Sequence, residues 1–591
     1  MDAATGSVGL KAFQATLSAL ALLHSTSYRY PPAAKLKANL KFDYIVIGGG
    51  TAGSIVASRL SEDPDCTVAV IESGGDPPIE SVLPGLFPQQ PLTSYDYNYR
   101  AENNHYTSQH IKKHAPGMTG GKMLGGTSAM SHTFHLRGNP HDYQQWAKAA
   151  GDASWSYEGM LPYFIKSERV NDADILNGST ADLHGTKGNI GLTRQFDDSN
   201  NKYIEAFKEI GYDYNPDING KTNLGVGYPY HLIADGTRQD GAESYLSPAK
   251  NRSNLSVFKN TSATKILFDD DKNAIGVEVV SNTALKILPS FLQSTTKISL
   301  KVRKEVILAA GVVKTPQLLM LSGIGPAIHL KTFNIPILSD LPVGQNLRDR
   351  IGLALAYKMQ SSNALPALPD PTKFPVPVTV GYKALDPSQS YPDFQTLNLI
   401  FPHDSDGLLM ILSNVLKYEN EVVDQIYSKN KGHEMLLVAV SSGHPTSTGE
   451  ILLKSKDPFV TPSISLGHFS DPKDLDDFAV FLKYFSGVLN TTHFKNVGAE
   501  FVDVNLKECR EIPRDTIEFW KCYAVGMSST FWQYCGSCSM GPVVDAKLKV
   551  RGVERLRVVD ASAMPSLNSG EILAAVFAFA EKAADLIKED S

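Results

Sequence analysis

Three glycines at a fixed spacing follow a short apolar run near the N-terminus. Residues 44–47 are mostly β-branched, and the chain then reads Gly48-x-Gly50-x-x-Gly53 before a segment that resembles a helix. Between a strand and a helix, this spacing lets a pyrophosphate approach the backbone and the N–H groups of the helix N-terminus. Glu72 ends the next apolar run, about 20 residues further on, where a carboxylate accepts ribose hydroxyls. The pattern predicts a dinucleotide site; the alternative is a glycine-rich turn that binds nothing.

The elements that must position this turn are predicted from residue type and periodicity. Runs rich in apolar and β-branched residues predict strands at 44–47, 67–71, 255–258, 264–268, 276–280 and 306–308. Apolar residues at helical spacing after Asp471 and Pro472 predict a helix over 471–489.

Four later blocks of sequence, together with the glycine turn, carry a family resemblance. They include Gly125-Gly126-Thr127-Ser128, Ser322-Gly323-Ile324-Gly325, Gly344-Gln345-Asn346-Leu347 and Val559-Asp560-Ala561-Ser562. From about residue 42 to residue 590 the chain resembles the glucose-methanol-choline (GMC) flavin oxidoreductases, above all their insect branch. The resemblance implies FAD as the cofactor. It also implies the residues that contact or lie beside FAD: Gly48, Gly50, Thr51, Ala52, Gly53, Glu72, Gly125, Gly126, Thr127, Ser128, Ser131, Trp532, Asp560 and Ala561.

The resemblance also implies the organisation of the chain. The expected fold is α/β, with a Rossmann-like FAD-binding domain made from residues 38–160, 226–350 and 530–591. A substrate-binding domain of antiparallel sheet and helices is expected from residues 161–225 and 351–529. The two domains are therefore expected to alternate along the chain.

The residues expected at the reacting centre depart from the family pattern. Gln533 stands where the family has a histidine base, and Leu573 stands where it has a supporting Asn or His. Ser131 replaces an Asn beside the flavin. A glutamine amide cannot accept a proton near neutral pH, and leucine makes no side-chain hydrogen bond. These three changes indicate that the usual alcohol oxidation has been altered.

Other side chains near these positions are candidate substitutes for the missing base. Glu571 lies two positions before Leu573, and burial would raise the pKa of such a carboxyl to a value useful for a base. A glutamate at the start of a helix more commonly faces the solvent, and that is the alternative for Glu571. His132 and His135 follow Ser131, although histidines in such segments are more often packed or on the surface.

The cysteine content is too low for a disulfide scaffold. The chain has five cysteines, so at least one is a free thiol. Cys535 and Cys538 have the spacing of a redox motif, but packing is the favoured interpretation. Cys509 and Cys522 are candidates for a disulfide if the protein is exported.

Three functions fit these residues. The favoured hypothesis is a redox-neutral dehydratase that converts a fatty-acid hydroperoxide to a keto fatty acid, because the hydride-transfer pair is lost and the residues after Leu573 are apolar. Fatty-acid hydroperoxide dehydratases of moth larvae belong to this family, and the chain resembles them. The second is an FAD-dependent alcohol oxidase or dehydrogenase acting on a steroid such as ecdysone, a sugar or another alcohol. The third is a non-catalytic flavoprotein.

Composition limits the partners. The chain has 591 residues, 42% of them apolar, and a formal net charge of −6, which fits a globular protein with a sizeable core. No basic stripe stands out, so a nucleic-acid partner is not expected. The expected partner is a small, apolar substrate, and no metal site is predicted. The oligomeric state is left open.

The N-terminal residues resemble a secretory leader. Lys11 precedes an apolar run over 13–23, which is too short to span a bilayer. A signal peptide over 1–28 and a secreted protein are predicted, with an amphipathic N-terminal helix as the alternative. Sequons for N-glycosylation fit export weakly; they begin at Asn177, Asn251, Asn254, Asn260 and Asn490.

Overall fold

Two large β-sheets organise the molecule. The computed structural model describes residues 28–282, 297–360 and 370–590. Almost all of the predicted signal peptide therefore lies outside the described residues. The strands of the two sheets are β1 (Lys41–Ile47), β2 (Val68–Ile71), β3 (Gly225–Gly227), β4 (Leu255–Phe258), β5 (Thr261–Phe268), β6 (Ala274–Ser281), β7 (Lys297–Leu308), β8 (Ile351–Gln360), β9 (Val378–Lys383), β10 (Phe394–Phe401), β11 (His433–Ser442), β12 (Glu500–Phe501), β13 (Ser529–Thr530) and β14 (Leu556–Val558).

The first sheet is largely parallel. Its strand order is β4-β2-β1-β7-β6-β5, and β14 also pairs with β7. The pairs among β4, β2, β1, β7 and β14 are parallel, whereas β5 and β6 add an antiparallel extension. Ile47 lies opposite both Leu308 and Ile71, so the carboxyl ends of these strands meet at one edge. That edge is where ligands bind in open α/β sheets.

The second sheet is antiparallel throughout. Its order is β12-β8-β11-β10-β9-β3, and β13 pairs with β8. Each sheet has its own buried apolar cluster, so the molecule has two principal cores. The predicted fold class, a Rossmann-like domain with an antiparallel-sheet domain, is confirmed.

Helices cover both sheets. Those of nine or more residues in the described part of the chain are α1 (Thr51–Leu60), α2 (Pro140–Ala150), α3 (Tyr157–Ser167), α4 (Asn201–Glu209), α5 (Gly311–Leu321), α6 (Asn420–Asn430), α7 (Pro472–Ser486), α8 (Ile517–Met527) and α9 (Ile572–Glu589). Shorter α-helices span Ile79–Val82, Ala173–Leu176, Ala327–Thr332, Asp406–Met410 and Thr492–Asn496. Helix α9 packs against α1 and α3, which brings the C-terminal residues back to the first sheet.

Small sheets complete the structure. Their paired strands are Tyr99–Arg100 with Gly117–Met118, Ile233–Ala234 with Thr237–Arg238, Glu450–Leu452 with Ser463–Ser465, and Ile190–Arg194 with both Glu168–Val170 and Tyr230–His231. Across the described ranges, 28–282, 297–360 and 370–590, no helix is long and apolar enough to cross a membrane.

Most predicted elements occur with small changes at their ends. The strand expected over 255–258 is found unchanged, whereas the one expected over 306–308 begins at Lys297. Its early residues alternate between buried and exposed positions and include several lysines, which hid the strand from a search for apolar runs. Asp471 caps α7 by accepting from the Lys473 N–H, as its place before a proline predicts.

The five cysteines all lie in the described part of the chain. Cys509 and Cys522 form a disulfide, which is the pair expected if the protein is exported, and the other three are free and buried. Cys535 and Cys538 make no disulfide with each other. Burial raises the pKa of Cys535 to about 12 and that of Cys538 well above its usual value, so neither is a thiolate at neutral pH. These properties agree with packing rather than redox chemistry.

Alkylation can test this pairing. After denaturation without reductant, iodoacetamide is expected to modify Cys66, Cys535 and Cys538, and to modify Cys509 and Cys522 only after reduction. Mass spectrometry of the peptides reads the result. In a Cys509→Ser variant, Cys522 becomes reactive without reductant; labelling of either residue before reduction in the unaltered protein contradicts the disulfide.

Candidate active site

The glycine turn joins β1 to α1, and two of its glycines are required by packing. Gly48 has φ +103°, and a Cβ there would lie 2.3 Å from the Ala309 carbonyl oxygen. A Cβ on Gly53 would lie 1.9 Å from the Gly48 oxygen. By contrast, a Cβ on Gly50 would meet its nearest atom at 3.7 Å, so the space beside it is open. No side chain caps α1, which leaves N–H groups at its start available.

Glu72 lies directly after β2 and is held by the backbone. One carboxyl oxygen accepts from the Gly49 N–H at 2.9 Å and the other from the Gly74 N–H at 2.7 Å. Burial raises the pKa of Glu72 to about 7, and these hydrogen bonds oppose the rise. Each oxygen retains acceptor capacity, so a ribose hydroxyl can still bind there.

One cavity of about 620 Å³ connects the glycine turn with the predicted reacting centre at Gln533, Glu571 and Leu573. Most predicted site residues line it: Gly48, Gly50, Thr51, Ala52, Glu72, Gly126, Thr127, Ser131, Trp532, Gln533, Asp560, Ala561, Glu571 and Leu573. The structure therefore brings together residues that are up to about 500 positions apart in sequence.

Three predicted cofactor contacts do not line the cavity. Gly53 packs against Gly48, as described above. Gly125 has φ +82°, and a Cβ there would lie 2.5 Å from an Asp240 carboxyl oxygen. The Ser128 hydroxyl donates to the Gly125 carbonyl at 2.7 Å and accepts from a backbone N–H at 3.0 Å. These residues shape the loop beside the cavity rather than its wall.

The cavity fits the dinucleotide cofactor that the glycine turn predicts. Gly50 and Gly126 leave their side of the cavity free of side chains, and a Cβ on Gly126 would lie 2.7 Å from the Gly50 Cα. The open N-terminus of α1 suits a pyrophosphate. Asp560 accepts from the Gly311 N–H at 2.8 Å and the Thr315 hydroxyl at 2.7 Å, which ties the start of α5 to the same wall.

In the region predicted to be the reacting centre, Glu571 is hydrogen-bonded to two amide side chains. This residue precedes α9 and lines the cavity, so the expectation of a solvent-facing helix start is wrong. The Gln533 amide donates to one Glu571 oxygen, and the Gln395 amide donates to the other at 3.4 Å. Burial raises the pKa of Glu571, whereas the Arg350 guanidinium lowers it. Leu573 adds only an apolar side chain to the cavity wall.

Gln395 and Arg350 were not predicted from the sequence. Gln395 lies in β10, in the region expected to hold the substrate domain, where spacing carries little chemical information. Arg350 follows the block at 343–347 and carried no signal of its own. Only the register of the antiparallel sheet places them behind Glu571.

The histidines near Ser131 have different environments. His132 lines the cavity between the Phe87 and Trp532 rings, with centroid distances of 4.9 Å to each. Burial and the nearby Arg238 charge lower its pKa to about 4, so it is neutral at physiological pH. His135 does not line the cavity; it is fully buried, with its Nδ1 3.8 Å from Glu168.

Comparisons with known proteins agree with this arrangement. Residues 42–351 and 445–580 each match a family model described as GMC oxidoreductase. An ecdysone oxidase of Bombyx mori is 34% identical over 579 residues, covering 95% of this chain and 84% of the relative. A glucose dehydrogenase [FAD, quinone] of Drosophila melanogaster is 31% identical, covering 93% and 87%.

A solved structure supports the same conclusion. Pyridoxine 4-oxidase from Mesorbium loti superposes with a TM-score of 0.76 at 25% identity, covering 92% of this chain and 98% of that one. The chain belongs to the GMC oxidoreductase family, and FAD is its cofactor.

The open space at Gly50 gives a test of the cofactor site. A Gly50→Ala variant is expected to fold, because its Cβ meets no protein atom closer than 3.7 Å, but to bind FAD more weakly, because the methyl group occupies space that the pyrophosphate needs. The ratio of flavin to protein absorbance measures this. Gly487→Ala, where a Cβ has no neighbour within 4 Å, is the control and retains full flavin content. Full flavin content in Gly50→Ala contradicts the placement.

Proposed function

We propose that this protein is an FAD-dependent alcohol oxidase or dehydrogenase in which Glu571 takes the place of the family's histidine base. The observation that carries the proposal is a carboxylate, held by two amide donors, on the wall of the cofactor cavity. FAD, when bound, supplies the hydride acceptor. The protein must supply a group that removes the hydroxyl proton as hydride leaves the carbon.

Glu571 meets the chemical requirements for this base better than its neighbours. Gln533 cannot accept a proton, and its amide serves as a donor to the carboxyl. His132 faces the same cavity and is neutral, so it is suited to bind the substrate oxygen or to share the proton. Glu571 combines a raised pKa with contacts that stabilise its charged form, which suits a general base.

The cavity wall near Glu571 favours an apolar substrate. The cavity lining includes many aromatic and aliphatic side chains, among them Phe87, Met130, Phe134, Val415, Phe531, Trp532, Ile572, Leu573 and Val576. Such a wall provides few partners for the many hydroxyls of a sugar, and buried hydroxyls without partners are costly. A steroid-like or other largely apolar alcohol fits it better, in line with the ecdysone oxidase relative. The acceptor that reoxidises the flavin is oxygen or a quinone.

The hydroperoxide dehydratase favoured by the sequence has less support. The relatives carry oxidase and dehydrogenase names, which agree with alcohol oxidation instead. The apolar wall and Glu571 remain compatible with elimination, in which a base takes the proton from the carbon that bears the hydroperoxide. The O–O bond then breaks, a carbonyl forms, and the departing hydroxide leaves as water. No net electrons pass to the flavin in that case.

An anaerobic experiment distinguishes these functions. Ecdysone, a long-chain alcohol and glucose are each mixed with the flavin-loaded protein, and the flavin absorbance is followed. Bleaching by one of the apolar alcohols, and little by glucose, is expected. Formation of a ketone from a linolenic-acid hydroperoxide without bleaching contradicts alcohol oxidation and favours the dehydratase. Absence of both reactions favours the non-catalytic flavoprotein.

A Glu571→Gln variant tests the base directly. Its amide has a similar shape but takes no proton, so the rate of flavin bleaching is expected to fall about 10²–10⁴-fold. Glu508→Gln, a carboxylate outside the cavity that contacts His110, is the matched control. In the unaltered protein the rate rises with pH through the raised pKa of Glu571 and then levels, because the ionised carboxylate is the active form. Unchanged bleaching in Glu571→Gln contradicts its role.

We also propose that the protein is exported. The Cys509–Cys522 disulfide suits an oxidising compartment, and the sequons at Asn177 and Asn490 are exposed. Asn254 differs, because its amide nitrogen donates to the carbonyls of Ser61, Asp63 and Cys66 at 2.8–3.1 Å. A glycan on Asn254 is incompatible with these contacts.

Glycan mapping tests export. Protein collected from the medium of expressing insect cells is expected to lose mass on treatment with an N-glycosidase. Asn177→Gln and Asn490→Gln should each remove one glycan, whereas Asn254→Gln should remove none. Retention inside the cell contradicts export, and a glycan on Asn254 contradicts the described contacts.

A further inference from the structure

The amide of Gln533 can have only one orientation. Its oxygen accepts from the Ile572 N–H at 2.7 Å, so its nitrogen must face the other way. That nitrogen donates to the Phe531 carbonyl at 3.0 Å and to Glu571. A backbone N–H at the start of α9 therefore determines that Gln533 presents a donor to the carboxyl.

The amide of Gln395 also has only one orientation, which Arg350 determines. The Arg350 guanidinium donates to the Gln395 oxygen at 2.5 Å, so the Gln395 nitrogen faces Glu571. Arg350 is itself fixed, because it also donates to the carbonyls of Asn568 and Gly570, the latter at 2.6 Å. The Gln395 amide therefore bridges the Arg350 guanidinium and the Glu571 carboxyl by hydrogen bonds.

Neither Arg350 nor Gln395 touches the cavity. Their side chains are 1% and 2% exposed, and both lie outside the cavity lining. Arg350 immediately precedes β8 and Gln395 lies in β10, whereas Glu571 precedes α9, which packs on the helices of the first sheet. The contacts therefore run from the antiparallel sheet to the edge of the FAD-binding region.

We propose that Arg350 and Gln395 are positioning residues that keep the Glu571 carboxylate ionised and directed into the cavity. The proposal rests on the proposed function of Glu571 as the base. An ionised carboxylate only accepts hydrogen bonds, and each of its oxygens here faces an amide donor. The positive guanidinium and the N-terminal end of α9 add to the preference for negative charge. Burial alone would instead leave the carboxyl protonated and unable to act as a base.

A Gln395→Leu variant tests this arrangement. Losing a hydrogen bond to the charged form is expected to raise the kinetic pKa of Glu571 by about one unit or more. The rate of flavin bleaching should therefore fall near neutral pH and recover towards the unaltered rate at higher pH, with KM unchanged. A merely structural role would lower the rate equally at all pH values. Infrared difference spectra of the carboxyl band, assigned by its loss in Glu571→Gln, report the same shift without turnover.

The control is a buried amide in the same strand. Asn398 is fully buried, donates to the Thr379 hydroxyl at 3.2 Å and lies outside both the cavity and the Glu571 contacts. Asn398→Leu is expected to leave the pKa of Glu571 unchanged. If Gln395→Leu fails to fold or bind FAD, Gln395→Met and Arg350→Met, which removes the charge, replace it, and both are expected to raise this pKa.

The outcomes separate the two proposals. An unchanged infrared pKa and pH profile in a folded Gln395 or Arg350 variant overturns the positioning role, even if Glu571→Gln is inactive. Full activity of Glu571→Gln overturns the proposed base, whereas a raised infrared pKa in Gln395→Leu still supports the electrostatic coupling.

Discussion

Desolvation of one carboxyl group is the constraint on which the reacting centre depends. Glu571 sits at the wall of a cavity lined mainly by aromatic and aliphatic side chains, where burial alone favours the neutral acid. Two amide donors and the Arg350 charge counter that preference. Gln395 lies in β10, Arg350 is the residue before β8, and Gln533 follows β13. The hydrogen bonds to Glu571 therefore require the strands of the antiparallel sheet and the C-terminal segment to be paired correctly.

At the other end of the cavity the constraint is space rather than charge. Gly48 and Gly53 allow β1, β7 and α1 to approach each other, whereas Gly50 and Gly126 keep side chains out of the cavity. Arg59 of α1 pairs with Asp585 of α9 at 3.0 Å, so the helix that presents its N-terminus to the cofactor is linked to the helix that follows Glu571. The two helices whose N-terminal ends lie at the cofactor turn and at Glu571 are therefore packed against each other.

The sequence predicted the parts of this structure that depend on local geometry. The glycine turn, the strand at 255–258 and the start of α7 follow from steric rules and periodicity, which act over a few residues. The predicted solvent-facing environment of Glu571 is wrong. Its actual environment depends on tertiary contacts with Gln395 and Arg350, which the spacing of residues in the sequence does not reveal. Likewise, Gly125 and Ser128 lie close in sequence to lining residues but support the loop from behind. The predicted domain boundaries remain predictions, since long-range pairing and not composition defines them.

If Gln533 stands in place of the histidine that the family resemblance implies, more changes at the site than one side chain. A histidine can serve as base and hydrogen-bond donor in turn, but a glutamine whose oxygen is held by the Ile572 N–H can only donate. A donor in that position requires an acceptor opposite it, and Glu571 provides one. Under the proposed function the base is a carboxylate instead of an imidazole, and Leu573 adds only an apolar side chain to the cavity wall. A carboxyl begins with a lower pKa than imidazole, and burial raises the pKa of Glu571 from that lower value.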